Sequence, residues 1–325
     1  MRLFRTVMAD RAPLTFEPLF MARVWGGRRL ADLFDKPLPA GAVIGESWEL
    51  VDRPEAQSVV ADGEFSGSTL GELWRSDRRA ELFGAGATGG RFPLLIKLLD
   101  CEQTLSVQVH PPAAVASALG GEPKTEMWVV VDASAHAQLF TGLRRGVTRA
   151  GFEAALTAGE DVSAMLFRHA VRNGDVMLLP SGRIHAIGAG NVIVEIQQNS
   201  DTTYRVFDWN RPGLDGLVRD LHIPESLASI DWDDYEPPLV VPDGETLVHN
   251  DIFDVDRLTV SSSRPVPAAP DGRCAALIPI DGAVRCAGRR FEPGRLFLVP
   301  ADASERALAA DGDRPSTVLR AMLPA

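Results

Sequence analysis

The segment LSVQVHPP (Leu105–Pro112) has the alternating pattern of a β-strand. Successive side chains of a strand point to opposite faces, so every second residue shares a face. Ser106, Gln108 and His110 therefore lie on one side, and the apolar residues between them lie on the other. We expect a strand that packs one face against a core and presents a hydroxyl, an amide and an imidazole on the other.

The run that precedes this strand, FPLLIKLL (Phe92–Leu99), is apolar except for Lys97. A lysine inside a buried strand loses its hydration, and this cost must be offset by a partner or by an anion. Lys97 is therefore a candidate functional residue.

Other short β-like runs are spread along the chain between glycines and prolines, of which there are 29 and 23. This pattern is typical of β sandwiches and barrels, and not of alternating strands and helices. Further strands are predicted at Met127–Val131, Asp175–Leu179, Val192–Gln198, Tyr204–Trp209, Arg257–Ser261, Ala275–Ile280 and Arg295–Val299.

Helical patterns are fewer than strand patterns. Helices are predicted at Leu70–Leu82 and Pro112–Leu119. A small helical insertion is predicted near residues 146–171, made of Arg149–Leu156 and Val162–Val171. The fold class that we expect is therefore mainly β with a small helical insertion.

A short internal repeat links two distant parts of the chain. GDVMLLPSGRIH (Gly174–His185) resembles GRLFLVPADASE (Gly294–Glu305), since each has a glycine, an apolar strand and a proline at the same offset. A duplicated β domain explains such a repeat. Nothing near Glu305 resembles a metal site, so we expect the first copy to be active and the second to be structural.

A proline-rich stretch, YEPPLVVPD (Tyr235–Asp243), indicates a domain boundary. We predict a catalytic domain at residues 1–240, which includes the helical insertion, and a second, metal-free β domain at residues 241–325.

Two further residues are candidate metal ligands beside His110. Glu126 lies just before the apolar run MWVVV, and His185 follows the strand-like GDVMLLP in a glycine-rich loop. Two histidines, a glutamate and Gln108 form a set suited to zinc, with a position left for substrate. Spacing alone does not distinguish a ligand from a packed histidine, and that alternative stays open for both. Surface or packing roles are expected for the remaining histidines, His136, His169, His222 and His249.

The formal net charge of −11 makes nucleic acid and anionic membrane surfaces poor partners for this chain. A phosphorylated small substrate would need a local basic pocket. Three cysteines at spacings that match no metal motif indicate a reduced, cytoplasmic setting. The first sixteen residues lack the apolar core of an export signal, and no apolar run is long enough to cross a bilayer.

Four segments, LIKLLDCEQTLSVQVHPP, KTEMW, LPSGRIHAIGAG and EIQQNSDTTYRVFDW, closely resemble, in this order, the type I phosphomannose isomerases in their short bacterial form. WGG (Trp25–Gly27) and GESWE (Gly45–Glu49) also fit this family. The resemblance runs from Phe16 to Trp209 and is loose beyond it. It implies a cupin-like β-barrel or jelly roll with one zinc ion per chain. It also implies interconversion of mannose 6-phosphate and fructose 6-phosphate through an enediolate.

The resemblance also implies roles for individual residues. The metal ligands of the family fall on Gln108, His110, Glu126 and His185. Its catalytic arginine falls on Arg205, and its substrate-contacting residues fall on Lys97, Ser106 and Lys124. Arg183 departs from the family pattern, in which a small or hydroxyl residue is common before the histidine.

Negative charge develops on the carbonyl oxygen during aldose–ketose isomerisation, and a zinc ion with a fixed guanidinium can stabilise it. Without the resemblance, the pattern around Arg205 favours a structural salt bridge, with Asp208 or Glu195 as the partner. The base that moves the proton is left open between a metal-bound water, Lys124 and Glu195.

The phosphate of the substrate requires cations, and we expect them to be Lys97, Lys124 and Arg183. Two other functions remain as alternatives. An iron-dependent cupin oxygenase usually presents more histidines, where this chain has Gln108. A non-catalytic, sugar-binding or regulatory cupin would have lost ligands or the arginine, and here every expected position is filled. The number of subunits is not predicted.

Overall fold

The computed structural model describes residues 11–324. Their contacts divide them into two compact units. The central unit comprises Leu19–Trp48 and Leu94–Val241, and the flanking unit comprises residues 11–18, Glu49–Pro93 and residues 242–324. The division into domains at residue 240 stays a prediction, because a contact pattern does not test which parts fold alone.

Strands dominate both units. Among the described residues they are, in chain order, β1 (Leu14–Thr15), β2 (Leu19–Gly27), β3 (Ile44–Leu50), β4 (Asp52–Arg53), β5 (Ala56–Gln57), β6 (Leu94–Cys101), β7 (Val107–Val109), β8 (Glu126–Ala133), β9 (Gln138–Leu143), β10 (Leu166–Ala170), β11 (Val176–Leu179), β12 (His185–Ile187), β13 (Asn191–Gln198), β14 (Tyr204–Phe207), β15 (Thr246–His249), β16 (Asp254–Val260), β17 (Val266–Pro267), β18 (Ala275–Asp281), β19 (Val284–Cys286), β20 (Arg289–Phe291), β21 (Phe297–Val299), β22 (Ala307–Ala310) and β23 (Ser316–Met322).

The helices are short and lie between strands. They are α1 (Arg29–Phe34), α2 (Leu70–Arg75), α3 (Arg79–Phe83), α4 (Ala113–Ala116), α5 (Arg149–Thr157) and α6 (Ile223–Ser229), with 3-10 turns at Ser117–Leu119 and Val162–Met165. None of the helices in this part of the chain has the length and apolar character needed to cross a membrane.

The central unit contains two antiparallel sheets. One has the strand order β11-β8-β13-β6-β3-β2, and the other has the order β10-β9-β12-β7-β14. Apolar side chains from both sheets, among them Leu99, Val130, Leu139, Ile187 and Ile193, form one buried cluster. Because side chains alternate along each strand, the residues in phase with these also point to the interior. The mainly β, cupin-like prediction is confirmed.

The flanking unit contains a second pair of sheets, with the orders β1-β21-β18-β23-β16-β15 and β17-β22-β19-β20. Its core includes Phe291 and Phe297, whose rings stack with centroids 3.7 Å apart. The repeat found in the sequence has a structural counterpart here. Gly174 precedes β11 and Gly294 precedes β21, and both have positive φ, 90° and 76°, which glycine adopts without strain.

Two helix predictions need correction. The predicted helix Leu70–Leu82 is two helices, because α2 ends at Arg75 and the next residue, Ser76, has an extended backbone. The predicted helix Val162–Val171 is wrong beyond Met165, where β10 begins. In β10 the burial alternates, and the strand pairs with β9, so a cross-strand partner outweighs the local helical pattern.

Candidate metal centre and surrounding cavity

Two facing rows of side chains line the interior at one end of the central unit. In the larger sheet, β13 lies between β6 and β8, and Glu195 is opposite Lys97 on one side and Trp128 on the other. In the smaller sheet, β7 lies between β14 and β12, and Gln108 is opposite Arg205 and His185. The strand alternation that builds the apolar core therefore also builds these polar rows.

His110, Glu126 and His185 converge between the rows. Each offers one ligand atom, and the three atoms lie within 4.8 Å of one another. Glu126 Oε2 is 3.4 Å from His110 Nε2, and Glu126 Oε1 is 3.5 Å from His185 Nε2. All three side chains are buried. Among the described residues, no other group of histidine, cysteine and acidic side chains is arranged to hold a metal ion.

Backbone carbonyls orient both imidazole rings. His110 Nδ1 lies 2.8 Å from the Thr202 carbonyl oxygen, and His185 Nδ1 lies 2.9 Å from the Arg183 carbonyl oxygen. A carbonyl accepts but does not donate, so each Nδ1 carries the proton. Each Nε2 therefore carries a lone pair and lies within 3.5 Å of Glu126. The lone pair of His110 has no hydrogen-bond partner among the described residues, whereas that of His185 also faces Gln108 Nε2. Fixing the tautomer through the second ring nitrogen is the usual way of preparing a metal-ligating histidine.

The charges of the three residues suit a cation. Burial and the Lys124 ammonium lower the pKa of His110, and burial with the neighbouring His110 lowers the pKa of His185 to about 3. Burial alone would raise the pKa of Glu126, but Lys124 and His110 hold it well below its usual value. Two neutral imidazoles and one carboxylate therefore face each other at neutral pH, which is a donor set of catalytic zinc sites.

Gln108 and Ser106 continue the same strand face. Gln108 Nε2 lies 3.2 Å from His185 Nε2, and Ser106 Oγ donates to Gln108 Oε1 at 3.3 Å. The predicted face of hydroxyl, amide and imidazole is thus assembled as expected. Gln108 is next to the three-residue cluster, in a position to be a fourth ligand or a close neighbour.

The two lysines are buried and paired with carboxylates. Lys97 Nζ lies 3.2 Å from Glu195 Oε1 and over the ring of Trp48, while Lys124 Nζ lies 2.9 Å from Glu126 Oε2. Burial lowers the pKa of Lys124, but the attraction of Glu126 and Glu195 outweighs burial and raises it. Burial raises the pKa of Glu195, an effect that Lys97 only partly offsets.

Arg205 projects from β14 at the edge of the smaller sheet. Its Nη1 donates to the Asp220 carbonyl oxygen at 2.9 Å, and its Nε is buried with no hydrogen-bond partner in the part of the chain described. The alternative interpretation, a salt bridge to Asp208 or Glu195, is not observed. Asp208 is paired with Arg211 and Arg219 instead.

A cavity of about 510 Å³ is lined by the side chains of Lys97, Gln108, Lys124, Glu195 and Arg205. That volume is within the range of small-molecule sites. The buried three-residue cluster contacts this lining through Gln108 and Lys124.

Sequence reasoning missed part of the lining of this cavity, including Trp25, Glu46 and Arg219. The alternation in GESWE was the available signal for Glu46. Burial would raise the pKa of Glu46, but Lys97 and Arg23 lower it to about 2.

Arg183 does not reach this cavity, although the sequence suggested it for the phosphate. Its Nε and Nη2 donate to the two carboxylate oxygens of Asp234, each at 2.8 Å, and its Nη1 donates to the Leu178 carbonyl oxygen at 2.6 Å. The guanidinium therefore stabilises the loop before His185.

Replacement of Arg183 by alanine is expected to lower stability by about 1–2 kcal/mol, because Asp234 loses a bidentate, half-buried partner. Denaturant unfolding measures this loss. KM and kcat are expected to stay within about threefold of wild type, a difference under roughly 1 kcal/mol. A large rise in KM at unchanged stability would contradict this prediction and support a role of Arg183 in substrate binding.

The remaining histidines lie away from the cluster. His136 and His249 are exposed, His169 is half-buried, and His222 accepts the Arg205 backbone N–H at 3.2 Å.

Comparisons with known proteins agree with this geometry. Residues 14–125 match the family model described as phosphomannose isomerase type I, catalytic domain. Mannose-6-phosphate isomerase ManA of Bacillus subtilis is 40% identical over 245 residues, which cover 75% of this chain and 74% of that protein. The probable mannose-6-phosphate isomerase GmuF of the same organism is 34% identical over 304 residues, which cover 90% of this chain and 95% of that protein.

A solved structure extends the likeness over both units. The crystal structure of the mannose 6-phosphate isomerase from Bacillus subtilis superposes with a TM-score of 0.83 at 29% identity, covering 96% of this chain and 99% of that chain. The likeness therefore includes the region beyond Trp209, where the sequence resemblance is loose.

Proposed function

The chain belongs to the type I phosphomannose isomerase family, and on that premise we propose that it interconverts mannose 6-phosphate and fructose 6-phosphate with a bound zinc ion. The observation that carries the proposal is the buried cluster of His110, Glu126 and His185. The cluster contacts Gln108 and Lys124, which line an adjacent cavity with other charged side chains.

The residues present fit a zinc ion. His110 Nε2 and Glu126 Oε1 are buried without a hydrogen-bond partner among the described residues, and such atoms are costly unless something binds them. The nitrogen and oxygen donors match the preference of zinc. His110, Glu126 and His185 would hold the ion, and Gln108 would be the fourth ligand or a close neighbour. When bound, zinc supplies a Lewis acid for the substrate oxygens at C1 and C2.

The side chains around the cluster would perform the proton transfer. Aldose–ketose isomerisation moves a proton between C2 and C1 while the hydroxyl proton moves between the two oxygens. Lys124 is held as an ammonium, so it cannot accept a proton but can donate a hydrogen bond to a substrate oxygen. Glu195 has a raised pKa and lines the cavity, which suits a carboxylate that accepts and returns a proton. Glu195 is therefore the base that we propose.

Arg205, Lys97 and Ser106 would hold the substrate. Arg205 lines the cavity, its Nε has no hydrogen-bond partner among the described residues, and it would stabilise the negative charge of the enediolate. Lys97 would keep Glu195 ionised and contact the sugar, and Ser106 would donate a hydrogen bond.

The two alternative functions gain no support from the site. The arginine and the ligand set are intact, and the donors include two histidines where oxygenases usually present more.

A coupled assay tests the proposal directly. Fructose 6-phosphate formed from mannose 6-phosphate is measured with the purified chain, after chelation, and after addition of zinc, iron or manganese. Activity that is lost on chelation and restored best by zinc supports the proposal. Absence of turnover in the zinc-loaded protein contradicts it.

Replacement of Lys97 by methionine is expected to shift the acid limb of the pH profile of kcat to higher pH by at least about one unit. The reason is that Lys97 lowers the pKa of Glu195, so its loss raises that pKa further and leaves less ionised base below it. The defect is therefore largest at low pH and recovers as the pH rises. Lys97→Arg, which keeps the charge, is the matched control and should leave the limb near its wild-type position. An unmoved limb in Lys97→Met would contradict the assignment of Glu195 as the base.

A further inference from the structure

The basic side chains that line the cavity differ in how far their charge is neutralised. At the metal end each cation has its own carboxylate. The pairs are Arg23 with Glu46 at 2.8 Å, Lys97 with Glu195 at 3.2 Å and Lys124 with Glu126 at 2.9 Å. A phosphate dianion placed at that end would meet three carboxylates as well as the three cations, so the side chains there offer it no net positive charge.

The balance is the opposite on the far side of Gln108, where β14 and the segment after it line the cavity. Arg205 forms no ion pair with any described residue, and Arg219 shares the carboxylate of Asp208 with Arg211. Three guanidiniums therefore lie around one ion-paired carboxylate. Burial and the nearby Arg219 lower the pKa of Arg205, which reflects this crowding of positive charge. Asp215 also lines the cavity, and Asp220 lies near Arg205, but neither carboxylate forms an ion pair with Arg205 or Arg219 in the described part of the chain.

The guanidinium of Arg219 is held by Asp208 along one edge, and no other partner is found among residues 11–324. Its Nε donates to Asp208 Oδ2 at 2.7 Å and its Nη2 donates to Asp208 Oδ1 at 2.6 Å. These bonds use two of the five N–H groups and fix the plane of the side chain. The side chain remains 23% exposed, whereas that of Asp208 is only 3% exposed. A fixed, partly accessible guanidinium edge is suited to binding phosphate oxygens in pairs.

The position of Arg219 also fits the length of the substrate. His185, Gln108 and Arg205 follow one another across three adjacent strands, and β14, which carries Arg205, is the edge strand. Arg219 lies on the segment after β14 and lines the same cavity. A six-carbon chain whose C1 and C2 lie at the metal cluster would thus extend past Arg205 toward Arg219.

We infer that Arg219, positioned by Asp208, binds the phosphate of the substrate and makes the enzyme selective for phosphorylated sugars. This inference rests on the proposed function, because it assumes that C1 and C2 lie at the metal cluster.

Arg219→Ala is the test variant, and Arg211→Ala is its matched control. Both remove a guanidinium from Asp208, but Arg211 does not line the cavity. Binding of inorganic phosphate to the zinc-loaded protein is measured by calorimetry, before and after chelation. In Arg219→Ala, the Kd of phosphate and the KM for mannose 6-phosphate are expected to rise about 30-fold, as loss of a charged hydrogen bond predicts. The kcat should stay within about threefold of wild type.

The outcomes separate the inference from its alternatives. Arg211→Ala should stay within about threefold of wild type in both constants. Equal rises of Kd and KM in the two variants would show that Arg219 only stabilises the conformation of its loop, and the inference would be overturned. A further outcome is phosphate binding that is lost on chelation and unaffected by Arg219→Ala. That result would show that the metal binds the anion, and it would also overturn the inference. If the wild type binds phosphate through Arg219 but forms no fructose 6-phosphate, the proposed function fails while the anion site stands.

Discussion

Replacement of His110 by alanine is expected to remove most of the bound zinc and to lower kcat/KM for mannose 6-phosphate about a thousandfold or more. The ring supplies one of three converging ligand atoms, and the remaining Glu126 and His185 cannot complete the set. A Lewis acid contributes several kcal/mol to the stabilisation of developing charge, which corresponds to a rate factor of this size. Atomic emission measures the zinc content, and steady-state kinetics on the same preparation measure kcat/KM.

The control for this prediction is His136→Ala, which removes an exposed histidine outside the cluster. It should keep its full zinc content and activity. Thermal unfolding of the chelated proteins separates loss of metal from loss of fold, since His110 also donates a hydrogen bond to Thr202. Full zinc content and activity in His110→Ala would contradict the assignment of His110 as a ligand.

The period of two along strands was enough to predict much of the site. In LSVQVHPP it places Ser106 and Gln108 on one face, with His110 directly after β7, and the structure assembles them around the cluster. Lys97 stood out because a charge in an apolar strand needs a partner, and that partner is Glu195. Both inferences depend on one strand at a time, which is why the sequence could support them.

Contacts between segments distant in sequence could not be predicted in the same way. Arg183 lies two residues before His185, yet its direction is set by Asp234, which follows 51 residues later. The predicted helix at residues 162–171 likewise became β10 because β9 offers a pairing edge. Residues 49–93 join the flanking unit, although no local pattern separates them from the catalytic region.

The assignment of Arg219 shows that the neutralisation of charges could not be predicted from the sequence either. Counting charges along the sequence suggested that the lysines bind the phosphate. Only the structure reveals that Lys97 and Lys124 each face a carboxylate while Arg205 does not. Neutralisation depends on distances, and sequence spacing does not supply them.

Replacement of Arg205 by alanine is expected to lower kcat about a hundredfold, by roughly 3 kcal/mol, with a much smaller change in KM. The reason is that the buried Nε–H of Arg205 has no hydrogen-bond partner among the described residues, so it is available for charge that appears only in the transition state. Lysine at this position should not restore full activity, because its single point charge cannot reproduce the planar fork. Steady-state kinetics on folded, zinc-loaded protein measure the effect.

The same variant separates catalysis from structure. Arg205 forms no ion pair with a carboxylate of the described residues and is not itself a proposed ligand, so zinc content and thermal stability should stay near wild type. Arg211→Ala, which removes a neighbouring guanidinium outside the cavity, should retain kcat. A kcat of Arg205→Ala within about threefold of wild type, a difference under roughly 1 kcal/mol, would remove Arg205 from the catalytic machinery. Zinc would then be the sole electrophile in the proposed mechanism.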